Sequence, residues 1–400
     1  MKDAVYFVPQ HYPFFMTAVL ISSDIYRTTH YGGKHPLNIP RVGPTVDLIK
    51  AMSWYSDKKF VTAPIAKPRL LKKFHSNDYI NVLLEVDEKQ EIDEYRSSKY
   101  KLGTPSNPLF EGMYKRPATS VGGAVVAAEY AYLNGRAFNL GGGLHHGLAN
   151  RANGFCYLND LVFAILRLRE FGVRRIAYVD LDAHFCDGVA SAFSRDPDIM
   201  LVSVHEANRW PFQGKIDENY PDKNLYAPMS KGSQDDDIEA LFKYVFFPAL
   251  EHFQPEALIV QGGADMLKDD PLSRLDITNN CLWSILARLN LLAPKVLLTS
   301  GGGYNPWSVA RLWAGFWAIL NDVDPPTNYT DEAMRLIESL RWFRKDKVNP
   351  NLLSCLRDEK MPGRIKEETL DLIKQMNSIH KSSIQMAGYK TNLLRNSHFF

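Results

Sequence analysis

The segment RIAYVDLDAHFCDGV, residues 175–189, joins an apolar run to a cluster of polar side chains. The apolar run, residues 176–179, has the length and composition of a strand that is buried on both faces. The polar side chains that follow it are Asp180, Asp182, His184 and Asp187. In an extended chain, residues two apart point to the same side, so a carboxylate oxygen and an imidazole nitrogen can converge on one point. This combination of donors suits Zn²⁺ or Fe²⁺ and is poor for Ca²⁺.

A strand end with an Asp-rich turn is the plainer interpretation of the same residues. The rest of the chain favours a site, because apolar strands alternate with amphipathic helices. The predicted strands are residues 13–22, 137–140, 176–179, 199–204, 257–260 and 296–299. The predicted helices are residues 46–54, 121–132, 158–168, 238–253, 281–292 and 307–320. This alternation predicts an α/β fold, a single large domain whose mostly parallel central sheet is covered by helices on both faces.

Polar or glycine-rich segments follow five of these strands. They are GGGLHHG at 141–147, DLDAHFCD at 180–187, HEANRWPFQG at 205–214, QGGAD at 261–265 and SGGGYNP at 300–306. Parallel α/β sheets bind ligands at the carboxyl ends of their strands, so we expect a site at this edge of the sheet. Beyond residue 325 the pattern becomes charged and helical. We therefore predict a catalytic domain at residues 1–325 and a helical C-terminal extension at 326–400, packed on the domain or trailing it.

The composition is that of an ordinary globular protein of 400 residues. The net charge of +2, from 47 basic and 45 acidic residues, argues against a nucleic-acid partner. Four cysteines show neither CxxC spacing nor the density of a disulfide scaffold, which favours a reducing cytoplasm. No stretch approaches 18 apolar residues, so no membrane span is expected. The apolar residues 13–22 lack the flanks of a signal peptide and are interpreted as a strand.

The polar residues at this edge predict metal-assisted hydrolysis of an amide or ester. Asp182, His184 and Asp265 would give a metal three ligands and leave one position open, which is typical of catalytic sites. A water in that position becomes a usable nucleophile at neutral pH. The site would lie at the end of a narrow apolar tunnel, with Phe155 and Trp210 as candidate walls.

Proton transfer requires further groups. Either His145 or His146 could take the proton of the water and return it to the leaving amine, with Asp180 and Asp187 fixing the imidazole tautomers. The hydroxyl of Tyr304 could donate a hydrogen bond to a developing oxyanion. Plainer alternatives are a solvated His-His loop and a packed tyrosine ring. A phosphate site is disfavoured, because the Gly-rich loops contain no GK[ST] and no GxGxxG that opens a helix.

Five motifs, in order and spacing, resemble the zinc-dependent histone deacetylase family of the arginase/deacetylase superfamily. They are GGGLHHG at 141–147, GFCYLND at 154–160, YVDLDAH at 178–184, QGGAD at 261–265 and GGGYN at 301–305. Within the family, the chain looks most similar to the bacterial acetoin-utilisation and acetylpolyamine-type amidohydrolases. The resemblance implies a metal-dependent deacetylase, a hydrolase of the C–N bond in acetyl-lysine or a related small acylated amine.

The resemblance also implies roles for individual residues. It places Zn²⁺, with Fe²⁺ as the alternative, on Asp182, His184 and Asp265. It assigns catalysis to His145, His146, Tyr304, Asp180 and Asp187. It assigns substrate binding to Gly154, Phe155, Trp210 and Leu272, and the exit of the acid product to Arg41. It places a structural K⁺ on Asp180, Asp182, His184, Ser203 and the carbonyl of Val204.

The sequence departs from the family pattern at three places. Phe185 and Cys186 stand where the family has His-Gly, and a Cys there is expected to strain the turn that aims Asp187. Ser106 stands where peptide-active members carry Asp, and Leu272 where polyamine-specific members carry Glu. An inactive pseudoenzyme that binds acyl ligands therefore remains an alternative. The substrate, the acyl chain length and the formation of a homo-oligomer are left open.

Overall fold

A computed structural model describes residues 18–221, 223–342, 348–361 and 363–380 of the chain. The strands in this described part are β1 (Val19–Ser22), β2 (Phe60–Thr62), β3 (Arg136–Asn139), β4 (Ile176–Leu181), β5 (Ile199–Glu206), β6 (Asn224–Met229), β7 (Ala257–Gly262) and β8 (Val296–Ser300). They form one sheet in the order β2-β1-β3-β8-β7-β4-β5-β6, and every neighbouring pair is parallel. The predicted fold class is confirmed.

Helices connect the strands and continue after the last one. Their bounds are α1 (Ile25–Thr28), α2 (Val42–Ala51), α3 (Pro68–Leu71), α4 (Asn77–Lys89), α5 (Glu94–Tyr100), α6 (Lys115–Asn134), α7 (Asp160–Glu170), α8 (Asp187–Phe193), α9 (Asp235–Leu241), α10 (Phe247–Phe253), α11 (Asn279–Leu289), α12 (Pro306–Leu320), α13 (Asp331–Ser339), α14 (Pro350–Ser354) and α15 (Glu367–Ile379). A π-helical turn, Phe242–Phe246, joins α9 to α10 just before Pro248, which has no N–H to donate. None of the helices in the described residues is long and apolar enough to cross a membrane.

Alternate residues of the central strands enter two separate apolar cores, as expected for strands that are buried on both faces. On β4, Ala177 and Val179 pack with α2, α11 and α12, whereas Ile176 and Tyr178 pack with α6 and α7. The helices therefore cover both faces, and the carboxyl ends of the strands remain open for a site.

Two strands were not predicted from the sequence. β2 has three residues, none of them fully buried, and β6 contains Pro228. Both lie at the edges of the sheet, where a short strand or a proline is tolerated. Part of the predicted first strand, residues 13–17, lies outside the described residues.

The segment beyond residue 326 contributes side chains to one of the two apolar cores. Tyr329, Ile337, Leu356 and Met376 are buried in the same cluster as the strands and α12. This packing describes how the segment contacts the rest of the protein. The division at residue 325 stays a prediction.

Candidate active site

Two neighbouring strands deliver the predicted metal ligands. β4 pairs with β7 so that Leu181 lies opposite Gly262, and Asp182 and Asp265 follow these strand ends. Backbone amides fix both carboxylates: Gly302 donates to Asp182 Oδ2 at 2.7 Å, and Ala183 donates to Asp265 Oδ1 at 3.0 Å. The loops after β4, β7 and β8 therefore hold one another in place.

Asp182, His184 and Asp265 offer ligand atoms that all lie within 4.8 Å of one another, which makes them a possible metal site among the described residues. His184 Nδ1 lies 3.0 Å from Asp265 Oδ2 and 3.2 Å from Asp182 Oδ1. Both carboxylates are buried. Burial and the nearby charge of Asp182 raise the pKa of Asp265. A divalent cation would offset this repulsion, and two carboxylates with one imidazole fit Zn²⁺ or Fe²⁺.

The two adjacent histidines are tied to separate carboxylates. His145 Nδ1 donates to Asp180 Oδ2 at 2.8 Å, and His146 Nδ1 donates to Asp187 Oδ1 at 2.6 Å. Burial opposes protonation of His145, but the charges of Asp180 and Asp182 raise its pKa to about 9. Burial and the charge of His145 lower the pKa of His146 to about 4, although Asp187 acts in the other direction. The surroundings of the two rings therefore move their pKa values in opposite directions.

The histidine loop can approach the metal group because it contains glycine. Gly143 has φ +94°, and a Cβ atom there would lie 2.0 Å from the carbonyl oxygen of Ser300. Buried Asp160 accepts hydrogen bonds from the amides of Gly143 and Leu144, which fixes the turn before His145.

Tyr304 follows the end of β8, as Asp182 and Asp265 follow the ends of β4 and β7. Its amide donates to Asp270 Oδ2 at 2.6 Å, which fixes the backbone at the start of α12. Burial, Asp265 and Asp182 raise the pKa of its phenol well above the usual value, so the hydroxyl keeps its proton and remains a donor.

A pocket of about 410 Å³ leads from the surface to these groups, and Phe155, Trp210 and Leu272 line it together with His146, His184 and Tyr304. The Trp210 ring stands at 75° to the ring of His146, with centroids 4.6 Å apart. Gly154 has φ +48° and leaves room for Trp210, because a Cβ atom there would lie 2.2 Å from the indole.

The remaining predicted positions lie beside segments that carry site residues. Arg41 Nη1 donates to the carbonyl oxygen of Gly301 at 2.9 Å, and Ser106 lines the outer rim. In the register of β4 and β5, Asp180 lies opposite Ser203 and Leu181 opposite Val204.

The expected strain at Cys186 is absent, and that prediction was wrong. Cys186 has φ −77°, a value that any L-residue adopts, and Asp187 reaches His146. Phe185 is buried against His205 and Tyr226, with ring centroids 5.1 and 4.8 Å away. The substituted turn is therefore packed, and the argument for a pseudoenzyme loses its structural basis.

Three residues that support the site were not predicted. Asn153 Nδ2 donates to Asp187 Oδ2 at 2.7 Å, Asp270 holds Tyr304, and Asn107 Oδ1 accepts from the amide of Phe155 at 3.0 Å. Phe155 has φ +69°, a conformation that the bond to Asn107 helps to maintain. Their only sequence signal is their proximity to the motifs.

Comparison with known proteins identifies the family. The model of the histone deacetylase domain matches residues 35–320. The chain belongs to the histone deacetylase family. The acetoin utilization protein AcuC of Bacillus subtilis (strain 168) is 34% identical over 323 residues, which cover 77% of this chain and 83% of AcuC. Human histone deacetylase 1 is 32% identical over 307 residues, which cover 74% of this chain and 63% of the human protein.

Solved structures agree with this family assignment. The crystal structure of a histone deacetylase homologue from Aquifex aeolicus superposes with a TM-score of 0.85 at 31% identity, over 90% of this chain and 99% of that one. The predicted resemblance and the enzyme class, a metal-dependent deacetylase hydrolase, are thereby confirmed. Family members act on acetylated substrates, and this chain has a possible metal site in Asp182, His184 and Asp265.

Proposed function

We propose that the chain hydrolyses the N-acetyl amide of acetyl-lysine or of a related small acylated amine. The observation that carries this proposal is the convergence of a buried Asp-His-Asp group, two carboxylate-bonded histidines and a protonated tyrosine at the end of one pocket. Each part supplies a step that amide hydrolysis needs.

Asp182, His184 and Asp265 would hold Zn²⁺, with Fe²⁺ as the alternative. When bound, the ion would lower the pKa of a water molecule and polarise the acyl carbonyl. His146 is the proton acceptor, because its ring is neutral and Asp187 fixes the tautomer that leaves Nε2 free. It later returns the proton to the leaving amine. His145, held protonated by Asp180, adds positive charge beside the reacting group.

The other pocket residues bind and orient the substrate. The hydroxyl of Tyr304 donates to the carbonyl oxygen of the acyl group and stabilises the negative charge that develops there. Phe155 and Trp210 flank the alkyl stem of the amine, with Leu272 at the rim. Gly154 lets Trp210 approach, and Arg41 lies on the path of the acid product.

A structural K⁺ on Asp180, Asp182, His184, Ser203 and Val204 is part of the proposal. It is supported by Asp180 Oδ1, a buried oxygen without a hydrogen-bond partner in the described part of the chain. A cation would satisfy this oxygen. The cytoplasm is the location we propose, because all four cysteines are free thiols, as a reducing compartment keeps them.

The test uses Zn²⁺-loaded protein with acetyl-lysine peptides and acetylated small amines, and compares the wild type with Tyr304→Phe. We expect the wild type to release acetate and the variant to be slower by about 10²- to 10³-fold, since one oxyanion donor is lost. Acetate release at the wild-type rate by Tyr304→Phe would contradict the role of the phenol. No release by the wild type from any of these amides would contradict the proposed function.

A further inference from the structure

A second cavity, called the inner cavity below, adjoins the surface pocket and shares His146, Gly154, Phe155 and Tyr304 with it. This inner cavity, of about 40 Å³, shares His146, Asp182 and Tyr304 with the catalytic site and continues to Arg41 and Arg116. The resemblance to the family had implied a place for Arg41 on the product path, whereas Arg116 was not singled out from the sequence.

Within the described part of the chain, the two guanidinium groups of the inner cavity lack an acidic partner. Arg41 donates to the Gly301 carbonyl, and its buried Nε has no hydrogen-bond partner among these residues. Arg116 donates to the carbonyl oxygen of Thr29 at 2.9 Å, and its guanidinium lies 5.0 Å from the ring centroid of Tyr26. No carboxylate among the described residues lies within 4.0 Å of either group.

Such a pair is unfavourable unless an anion joins it. Burial lowers the pKa of both Arg41 and Arg116, and the charge of Arg116 lowers the pKa of Arg41 further. Both residues are only partly exposed, and charges that are removed from water are normally paired. The planar guanidinium group matches a carboxylate, which accepts two parallel hydrogen bonds from it.

Arg41 is also close to the reacting centre. Gly301, whose carbonyl it binds, lies against the metal group, because a Cβ atom on Gly301 would be 3.0 Å from Asp182 Oδ2. An acyl chain of a few carbon atoms, entering from the catalytic site, would therefore bring its far end to the arginines.

We propose that the inner cavity binds a carboxylate at the far end of the acyl chain, so that the enzyme accepts half-amides of short dicarboxylic acids, such as Nε-succinyl-lysine. This inference rests on the proposed function and names an acyl class for it. In the reaction, the amide C–N bond breaks and the oxygen of water joins the acyl carbon. R–NH–CO–CH₂CH₂–COO⁻ and H₂O become R–NH₃⁺ and ⁻OOC–CH₂CH₂–COO⁻.

The first measurement compares three peptides that differ only in the acyl group on lysine: acetyl, succinyl and 4-methylpentanoyl. The last has the shape of succinyl without its charge. With the Zn²⁺-loaded wild type, we expect kcat/KM for succinyl to exceed that for 4-methylpentanoyl by at least about tenfold, the usual effect of a hydrogen bond to a charged group. Equal values for the two would overturn the inference, even though acetyl hydrolysis upheld the proposed function.

Variants then locate the effect. In Arg116→Gln the ratio of the succinyl to the 4-methylpentanoyl kcat/KM should fall at least fivefold, and Arg116→Lys should retain more of it. Arg174→Gln is the matched control, since Arg174 is exposed and distant from the cavity lining, and its ratio should equal that of the wild type. An unchanged ratio in both Arg116 variants would overturn the inference.

A binding measurement does not depend on turnover. Fluorescence anisotropy of labelled peptides with metal-stripped protein should show tighter binding of the succinyl than of the 4-methylpentanoyl peptide, and Arg116→Gln should remove the difference. If the holoenzyme hydrolysed none of the peptides, the proposed function would fail, and this measurement would still decide on the carboxylate site. Equal binding of the two peptides to the wild type would overturn it.

Discussion

His145 and His146 are neighbours in the chain, but each is bonded to a different carboxylate. Asp180 keeps the first ring protonated, whereas burial keeps the second ring neutral. When the environments of two groups move their pKa values apart, one group can be protonated while the other is neutral at the same pH. The two groups can then take different roles, as a charge or acid and as a base. Asp187 fixes the tautomer of the second ring and also accepts a hydrogen bond from Asn153.

Asp187→Asn should lower kcat/KM about 10- to 100-fold. In the variant, the side-chain amide oxygen at position 187 can accept from His146 Nδ1 only if the amide NH₂ group faces the NH₂ group of Asn153. Two NH₂ groups cannot bond to each other, so either the bond to His146 or the bond to Asn153 is lost. The assay is acetate release, with the metal content measured in parallel. Asp198→Asn, the same change at an exposed position, is the control. Full activity in Asp187→Asn, or a matching loss in the control, would contradict this role.

The site residues that the sequence predicted lie in motifs, where polar or glycine residues interrupt a buried strand pattern. The structure brings Asp182, His184 and Asp265 together as such a pattern requires. Asn107 could not be found this way, because its role depends on contact with Phe155, 48 positions further along the chain. Arg116 was not found because it lies in the first turn of α6, before the predicted helix start at residue 121, and belongs to no motif.

At the scale of elements, the central strands were predictable because burial on both faces makes them continuous apolar runs. β6 was not predicted, since Pro228 argues against a strand unless the strand lies at an edge, and only the assembled sheet shows that it does. Helix α7 began two residues later than predicted, because Asn159 caps it.

His75, between α3 and α4, connects elements near the site. Its Nδ1 donates to the carbonyl of Leu148 at 3.0 Å, and its Nε2 accepts from the amide of Asn159, the cap of α7, at 3.2 Å. Burial lowers the pKa of this ring to about 4. Since the unfolded value is near 6.5, the unfolded chain takes up the proton first as the pH falls. The stabilisation that the neutral His75 ring provides is therefore complete above pH 6.5 and is lost as the pH falls toward 4.

Urea unfolding at pH 7.5 and at pH 5 tests this contribution. Between pH 7.5 and pH 5, the unfolding free energy of the wild type should fall by about 2 kcal/mol more than that of His75→Gln. This difference follows from the pKa values of His75 in the folded and the unfolded protein. His252→Gln, which changes an exposed histidine, should lose as much as the wild type. The same loss in His75→Gln as in the wild type would contradict the assignment.

At the scale of the whole molecule, the C-terminal segment is tied to the helices of the main sheet by an ion pair whose arginine is buried. Arg311 on α12 is 1% exposed, and its Nη2 donates to Asp358 Oδ1 at 2.5 Å. Asp358 Oδ2 also accepts from the amide of Asn279 at the start of α11. The chain after residue 326 thus binds the charged side chain of Arg311 on α12, the helix that begins beside Tyr304.

Asp358→Ala should lower the unfolding free energy by about 3 kcal/mol, because it leaves the Arg311 charge buried without its partner. Chemical denaturation followed by circular dichroism measures the change. Asp371→Ala is the control, since Asp371 pairs with Lys374 at the surface and should change stability by less than about 0.5 kcal/mol. If Asp358→Ala were as stable as Asp371→Ala, the ion pair would not contribute to holding the segment in place.

The order of strands in the sheet has a consequence for biosynthesis. β8 is the last strand of the described residues, yet it lies between β3 and β7 and joins the two halves of the sheet. Until β8 has left the ribosome, the halves have no common ladder, and Asp182 lacks the amide of Gly302. A nascent polypeptide stalled before β8 would therefore carry Asp182, His184 and Asp265 without the bond that fixes the first of these carboxylates.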